Sequence, residues 1–171
     1  MELAFRKCSL ADIHTLKNIS VGTFKSAFKA QNNPEDFRVY INQAFSIEQL
    51  LKELSSLNSM FYFALSKNEI VGYFKLNILD NQNEFKEDKG IELERIYVLS
   101  EFQNRGFGSL LLEEVKNIAK NLKKGYLWLG VWEVNLRAIN FYENKGFYKI
   151  GTHPYWIGTD KQTDWLMRLD L

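Results

Sequence analysis

Residues Glu94 to Leu112 read Glu-Arg-Ile-Tyr-Val-Leu-Ser-Glu-Phe-Gln-Asn-Arg-Gly-Phe-Gly-Ser-Leu-Leu-Leu, an apolar strand that runs through a glycine turn straight into a helix. Gly106 and Gly108 can take backbone angles that side chains forbid. Successive N–H groups can therefore converge at the helix start, where the partial positive charge of the dipole lies. The segment reads as an anion site able to take a pyrophosphate. It has neither the lysine of G-x-x-x-x-G-K-[ST] nor the spacing of G-x-G-x-x-G, so the two standard nucleotide loops are excluded.

Downstream of this loop, Leu111, Val115, Ile118 and Leu122 recur at steps of four, three and four, an apolar stripe that packs on a sheet. Tyr126 to Trp132 returns as a strand. Strand, helix and strand at this spacing predict a right-handed crossover between parallel strands, with a ligand at their carboxyl ends. Asn135 can cap the final helix and Gly146 can end it. Closing strands are expected at Phe147 to Gly151 and Thr163 to Leu169, with a loop-like stretch around His153 and Pro154.

Upstream, Ile91 to Val98 feeds the glycine loop, and Phe61 to Leu65 with Ile70 to Ile78 predicts a hairpin turning near Lys67-Asn68-Glu69. The N-terminal third predicts a short strand near Leu3 to Lys7 and then helices. Their start signals are Ser9, Asn33 before Pro34, and the capping box Ser46-Ile47-Glu48-Gln49.

The 171 residues, 46% apolar and 15% aromatic, suit one domain spanning 1–171 with one sizeable core. No run of eighteen apolar residues and no signal-peptide pattern occurs, which predicts a cytoplasmic protein without a membrane segment. Cys8 is the sole cysteine, which excludes an intrachain disulfide and provides no metal cluster. A net charge of +1 without a basic stripe argues against a nucleic-acid partner. Locally, Asp80, Glu84, Glu87, Asp88, Glu92 and Glu94 form an acidic segment, and Arg105, Lys116, Lys120, Lys123 and Lys124 a basic helix. The pattern reads either as two solvated faces or as a cationic substrate opposite a phosphorylated cofactor.

Gln103-Asn104-Arg105-Gly106-Phe107-Gly108 resembles the Q/R-x-x-G-x-G/A acyl-CoA loop of the GCN5-related N-acetyltransferase (GNAT) superfamily. A second block, Trp128-Leu129-Gly130-Val131-Trp132-Glu133-Val134-Asn135 with Ala138, Phe141-Tyr142 and Gly146-Phe147, resembles that family's strand followed by N-x-x-A-x-x-F-Y-x-x-x-G-F. The paired tryptophans, the Glu-Arg-Ile-Tyr strand and the tail Gly151 to Gly158 are most similar to the PaiA-type spermidine/spermine acetyltransferases.

The resemblance implies an α/β (α+β) fold: a mixed, mostly antiparallel central sheet, splayed between two parallel strands and flanked by helices. It implies acetyl-CoA as co-substrate, no metal, and direct attack by an amine in a ternary complex. The backbone of Ile96, Tyr97 and Val98 would bind the pantetheine arm, and the amides of Gln103, Asn104, Arg105, Gly106, Phe107, Gly108 and Ser109 the pyrophosphate. Phe107 must then point away from the phosphates. Asn135 would contact the cofactor besides capping its helix, and Lys145 either reaches a CoA phosphate or only suits the helix dipole.

Tyr142 is the candidate general acid for the departing thiolate. Glu94, with Glu92 second, is the candidate acceptor of the ammonium proton, and alternation puts both on one face unless a bulge intervenes. His153 is an alternative base. Glu92, Glu94, Trp132 and Tyr155 are the candidate substrate contacts, among aromatics that also include Phe24, Phe28, Phe45, Tyr73, Trp128 and Trp156. Aromatic faces and carboxylates suit a small polyamine such as spermidine or spermine. A peptide or other small amine as acceptor, or a non-catalytic acyl-CoA sensor, are the alternatives, and a homodimer is compatible with the chain.

Overall fold

The apolar alternation of residues 59–77 closes on itself through Lys67 and Asn68, whose φ values of 51° and 67° match the twist of a two-residue hairpin turn. This hairpin joins β2 (Ser59–Ser66) to β3 (Glu69–Asn77). The computed structural model describes residues 3–171; Met1 and Glu2, the first residues of the expected domain, lie outside them. The remaining strands are β1 (Ala4–Lys7), β4 (Gly90–Val98), β5 (Tyr126–Trp132), β6 (Tyr148–Ile157) and β7 (Asp160–Asp170). All seven form one sheet in the order β1-β2-β3-β4-β5-β7-β6, antiparallel throughout except for the parallel pair β4 and β5.

The helices are α1 (Ile13–Phe28), α2 (Pro34–Ala44), α3 (Ile47–Ser55), α4 (Phe107–Asn121) and α5 (Leu136–Glu143). Two of the caps expected in the N-terminal third form: Asn33 Oδ1 accepts from the amides of Glu35 and Asp36 at 2.9 and 3.2 Å, and Ser46 Oγ from that of Gln49 at 3.1 Å. At Ser9 the bond runs the other way, the Ser9 amide and hydroxyl donating to Asp12 Oδ2 at 2.8 and 3.1 Å. On one face of the sheet α4 buries Leu111, Leu112 and Val115 against Phe74, Leu93 and Leu127. On the other, α1 and α3 bury Leu16 and Leu50 against Phe61, Phe63 and Tyr73. Leu122, expected on the buried stripe, stands at the end of α4 and is 41% exposed. The last turn has already run past the sheet.

The closing hairpin is longer than the sequence reading gave. His153 and Pro154 lie within β6, paired with Asp164 and Thr163 of β7. Pro154 is tolerated because β6 is an edge strand, where a missing N–H need not break a ladder.

Two irregularities in the middle of the sheet create the site. The β4–β5 ladder holds only from Gly90/Tyr126 to Glu92/Trp128, and beyond it the strands part. On the other side of β4 the register with β3 shifts, Lys75 pairing with Arg95 and Leu76 with Leu93. Glu94 is thus the extra residue of a β-bulge. Ile91 and Leu93 before the bulge and Ile96 and Val98 after it all pack in the α4-side core, while Glu94 and Arg95 come out together opposite Lys75.

Candidate active site

Where β4 and β5 part, the edge of β4 is open. The Leu99 amide donates to the Val71 carbonyl at 2.9 Å, so by alternation Tyr97 and Leu99 direct their backbone groups toward β3, and Ile96 and Val98 direct theirs into the gap. The Val98 carbonyl accepts from Gln103 Nε2 at 3.1 Å, which lashes the start of the glycine loop to the strand. Gly106 has φ of 82° and Asn104 of 60°, both left-handed. Arg137 of α5 fixes the Asn104 side chain by donating to its Oδ1 at 2.8 Å.

At the start of α4 the amides of Ser109 and Leu110 turn back to the Gly106 carbonyl at 3.1 and 3.4 Å. Those of Phe107 and Gly108, the first two of the helix, have no intrahelical acceptor. Phe107 is 4% exposed and sits in the core, its ring 6.1 Å from that of Phe102, so the large side chain between the glycines clears the loop as expected. A Cβ on Gly108 would meet only the Phe141 ring, at 3.9 Å. The Lys145 ammonium lies 5.9 Å from the centre of that ring, on the side chain that borders Gly108. Free amides, a left-handed glycine and a bare helix N-terminus fit a phosphate-bearing co-substrate.

The inner cavity in the gap is bordered by Ile96, Tyr97, Trp132, Asn135, Tyr142 and Tyr155, together with Glu94, Gly130 and Asp164. Asn135 Oδ1 caps α5 by accepting from the Ala138 amide at 3.2 Å. About two turns on, Tyr142 is held by Phe141 and Phe147, with ring centres 5.3 and 5.5 Å away. Burial pushes its phenol well above the ordinary value, so it stays protonated across the neutral range. Trp132 stands edge-on to Phe28 of α1.

A second cavity adjoins the first through Phe24, Glu94, Arg95, Tyr97, Gly130, Tyr155 and Asp164, and adds Glu84, Glu92 and His153. Glu92 is 3% exposed and accepts hydrogen bonds from the Asn83 amide at 2.9 Å, Asn83 Nδ2 at 2.7 Å and Asn77 Nδ2 at 3.0 Å. Burial first, and then the neighbouring Glu94, raise its pKa above the ordinary carboxylate range, against those hydrogen bonds.

Glu94, expected as the proton acceptor, has a different environment. Its carboxylate lies 2.6 Å from Lys75 Nζ and 3.1 Å from Arg95. Glu53 of α3 completes a buried square of charge, 3.1 Å from Lys75 and 3.2 Å from Arg95. Burial pushes the Glu94 carboxyl up, but Arg95 and Lys75 together outweigh it and hold the group at about 2.

His153 lies between two carboxylates, its Nδ1 3.0 Å from Glu84 and its Nε2 3.7 Å from Asp164. Asp164 raises its pKa most, burial opposes this, and Glu84 adds to the rise, bringing it to about 8. Neither Glu84 nor Asp164 stood out as a site residue in the sequence. The only available signal was register: once β6 and β7 pair, His153 and Asp164 are opposite each other.

The helical N-terminal third covers this cavity. The hydroxyls of Tyr40 in α2 and Tyr155 in β6 are hydrogen-bonded, and Asp36 of α2 accepts from the Thr159 amide at 3.0 Å and its hydroxyl at 2.9 Å. Of the aromatics outside the expected core, Phe45, Tyr73 and Trp128 are fully buried, Phe24, Phe28 and Tyr155 face a cavity, and Trp156 is 54% exposed. The acidic and basic segments meet directly: Lys124, just past α4, lies 2.7 Å from the Asp88 carboxylate. No helix among the described residues is long and apolar enough to cross a membrane.

A sheet splayed between two parallel strands, with an anion loop at the head of the crossover helix, is the architecture of the acyl-CoA-dependent N-acetyltransferases. Residues 23–147 match the Acetyltransferase (GNAT) family, and an uncharacterized N-acetyltransferase of the pepI 3′ region of Lactobacillus delbrueckii subsp. lactis is 39% identical over 150 residues, 88% of this chain and 87% of that protein. The chain belongs to the GNAT family of N-acetyltransferases. A spermidine N(1)-acetyltransferase of Thermoplasma acidophilum is 29% identical over 153 residues, 86% of this chain and 89% of that one. The crystal structure of PaiA N-acetyltransferase from Thermoplasma acidophilum in complex with coenzyme A shares the fold, with a TM-score of 0.80 over 100% of both chains at 24% identity.

Proposed function

We propose that this chain is one catalytic domain, working in the cytoplasm, that transfers the acetyl group of acetyl-CoA to a primary amine of a small polyamine such as spermidine or spermine. The observation that carries this reading is the junction of two cavities at the parting of β4 and β5, one bordered by the anion loop's own strand and Tyr142, the other by Glu84, Glu92 and Asp164. The backbone of Ile96 and Val98, rather than that of Tyr97, which faces β3, takes the pantetheine arm. The amides from Asn104 to Gly108 take the pyrophosphate, those of Gln103 and Ser109 being bonded to the Ser100 and Gly106 carbonyls, and Asn135 and Lys145 add contacts at the two ends of α5.

Tyr142 keeps its proton until the thiolate departs, which suits a general acid. The proton-accepting role passes from Glu94 to Glu92. A carboxylate held near 2 by two cations is too weak a base for an ammonium, whereas one raised by burial is a better acceptor, directly or through water. Glu94 instead fixes Lys75 and Arg95 under the site, and Trp132 and Tyr155 supply apolar walls for methylene groups. The roof made by α2 and the β6–β7 hairpin favours a small acceptor over a folded protein tail. The spermidine acetyltransferase relative supports the same substrate class.

The test is thiol release from acetyl-CoA with spermidine, spermine, putrescine, lysine peptides and aminoglycosides, against a control without acceptor. Selective turnover of spermidine or spermine is the expected result. Turnover of lysine peptides alone would replace the acceptor class, and acetyl-CoA binding without turnover of any amine would make the chain a sensor.

A further inference from the structure

The carboxylates of the outer cavity are not equally available. Glu94 is neutralised by Lys75 and Arg95, and Glu92 already accepts three hydrogen bonds from Asn77 and Asn83, which leaves it room for a proton but not for a close ion pair with a second ammonium. That leaves Asp164 and Glu84, which among the described residues are paired only with His153. Asp164 borders both cavities and so stands at their junction. Next to it, β5 carries a glycine: a Cβ on Gly130 would stand 3.3 Å from Asp164 Oδ2 and 3.6 Å from His153 Nε2. Gly130 is itself exposed to the cavity, so the missing side chain leaves an open approach to the outer side of this ion pair.

We propose that Asp164 is the residue that selects cationic acceptors, receiving an ammonium of the substrate over Gly130, with His153 as the built-in counter-ion that the substrate displaces. This deepens the polyamine reading and rests on it for the identity of the amine. The contact between Asp164 and His153 is long, at 3.7 Å, whereas a substrate ammonium can approach a carboxylate to about 2.8 Å. Displacement therefore exchanges a loose pair for a close one. The charged groups facing the imidazole are Glu84 from the segment before β4 and Asp164 from β7, with Glu92, Glu94 and Arg95 across the cavity. Because His153 is held protonated to about 8, its grip on Asp164 loosens as the pH rises through that value. The affinity for a polycationic amine should increase over the same interval.

The test uses spermidine as the probe with the full chain. Asp164→Asn should raise the KM for spermidine roughly tenfold or more, the scale of one lost charge-assisted contact, while leaving the KM for acetyl-CoA within about twofold. Asp164→Glu should recover most of it. His153→Asn should lower the spermidine KM near neutral pH and remove its fall across about pH 7 to 8.5.

The chain has two histidines, so proton NMR titration of the imidazoles gives a second readout independent of turnover. Adding spermidine should lower the apparent pKa of His153, leave His14 unmoved, and do neither in Asp164→Asn. Both KM values rising together in Asp164→Asn, an unchanged spermidine KM, or a His153 titration indifferent to spermidine would each overturn the proposal. If the wild type acetylates no polyamine yet spermidine shifts His153, the cation site stands and the acceptor identity falls.

Discussion

The proposed phosphate-facing end of the cleft is made of backbone from one short segment within Gln103 to Ser109, whereas the proposed acceptor end is made of side chains from separate parts of the chain: Glu84 before β4, Glu92 on β4, His153 on β6 and Asp164 on β7. The first needs only glycines and a helix start, so it tolerates change in its other side chains. The second depends on long-range register. One bulge, one three-residue parallel ladder and one hairpin must all form before its charges meet. A co-substrate site common to a family is best made from backbone, and an acceptor site that varies within it from side chains.

The sharpest way to break this comparison is under the acceptor end. Glu94→Gln leaves Lys75 and Arg95 sharing only Glu53, and losing one partner of a buried charge set costs about 3 kcal/mol. For a chain of this size that lowers the Tm by roughly 6–12 °C in thermal unfolding. The pH dependence has a defined sign. Glu94 falls from 4.5 to about 2 on folding, so its stabilisation is complete above the unfolded value and is lost as the pH drops through the folded one. The variant's stability should fall less steeply between those values, while the acid limb of its kcat/KM profile, which reports the base, stays that of the wild type. A displaced acid limb would return the base role to Glu94.

Tyr142→Phe tests the junction itself. The expected result is a loss of roughly a hundredfold in kcat, with acetyl-CoA binding changed by less than about threefold in equilibrium titration. Parallel losses in both would reduce the tyrosine to packing. At the backbone end, Gly106→Val places a β-branched residue at φ of 82°. The left-handed strain of about 1–2 kcal/mol should raise the acetyl-CoA KM about tenfold and leave the ratio of rates among amines unchanged. The smallest effect is expected from Lys145→Ala, a two- to threefold rise in acetyl-CoA KM that shrinks with added salt, since a single half-buried charge at the rim of the site contributes little and is screened. A change in amine preference from either of these last two variants would erase the separation between the two ends.

The same division explains what could be read from the sequence. The glycine loop, the crossover helix and the caps at Asn33, Ser46 and Asn135 are local, and each follows from neighbours within a few residues, whereas the inward turn of Phe107 follows from the acyl-CoA loop that the resemblance implies. The splay was expected only through the family resemblance. The bulge at Glu94 leaves no local mark, because Glu-Leu-Glu-Arg alternates plausibly until Lys75 is known to lie opposite. The protonation of Glu94 and Glu92 depends on Lys75, Glu53, Asn77 and Asn83, all distant in sequence. His153 and Asp164 could not be joined while the strands around Pro154 were taken to end at Gly151 and begin again at Thr163.

The bulge also governs where the chain can change length. Removing one residue between Leu93 and Ile96 would restore plain alternation with Ile91, Leu93, Ile96 and Val98 still on the core face, but it would take away one of the two charged side chains opposite Lys75 and so break the buried charge set. No such change of strand alternation attaches to the 80–89 connection or to the turn at Gly158 and Thr159, as long as Asn83 keeps its bonds to Glu92 and Thr159 its bonds to Asp36. Insertions and deletions should therefore collect in those two rims of the proposed acceptor pocket, and diversification toward new amines can proceed there while the splayed end of β4 keeps its shape.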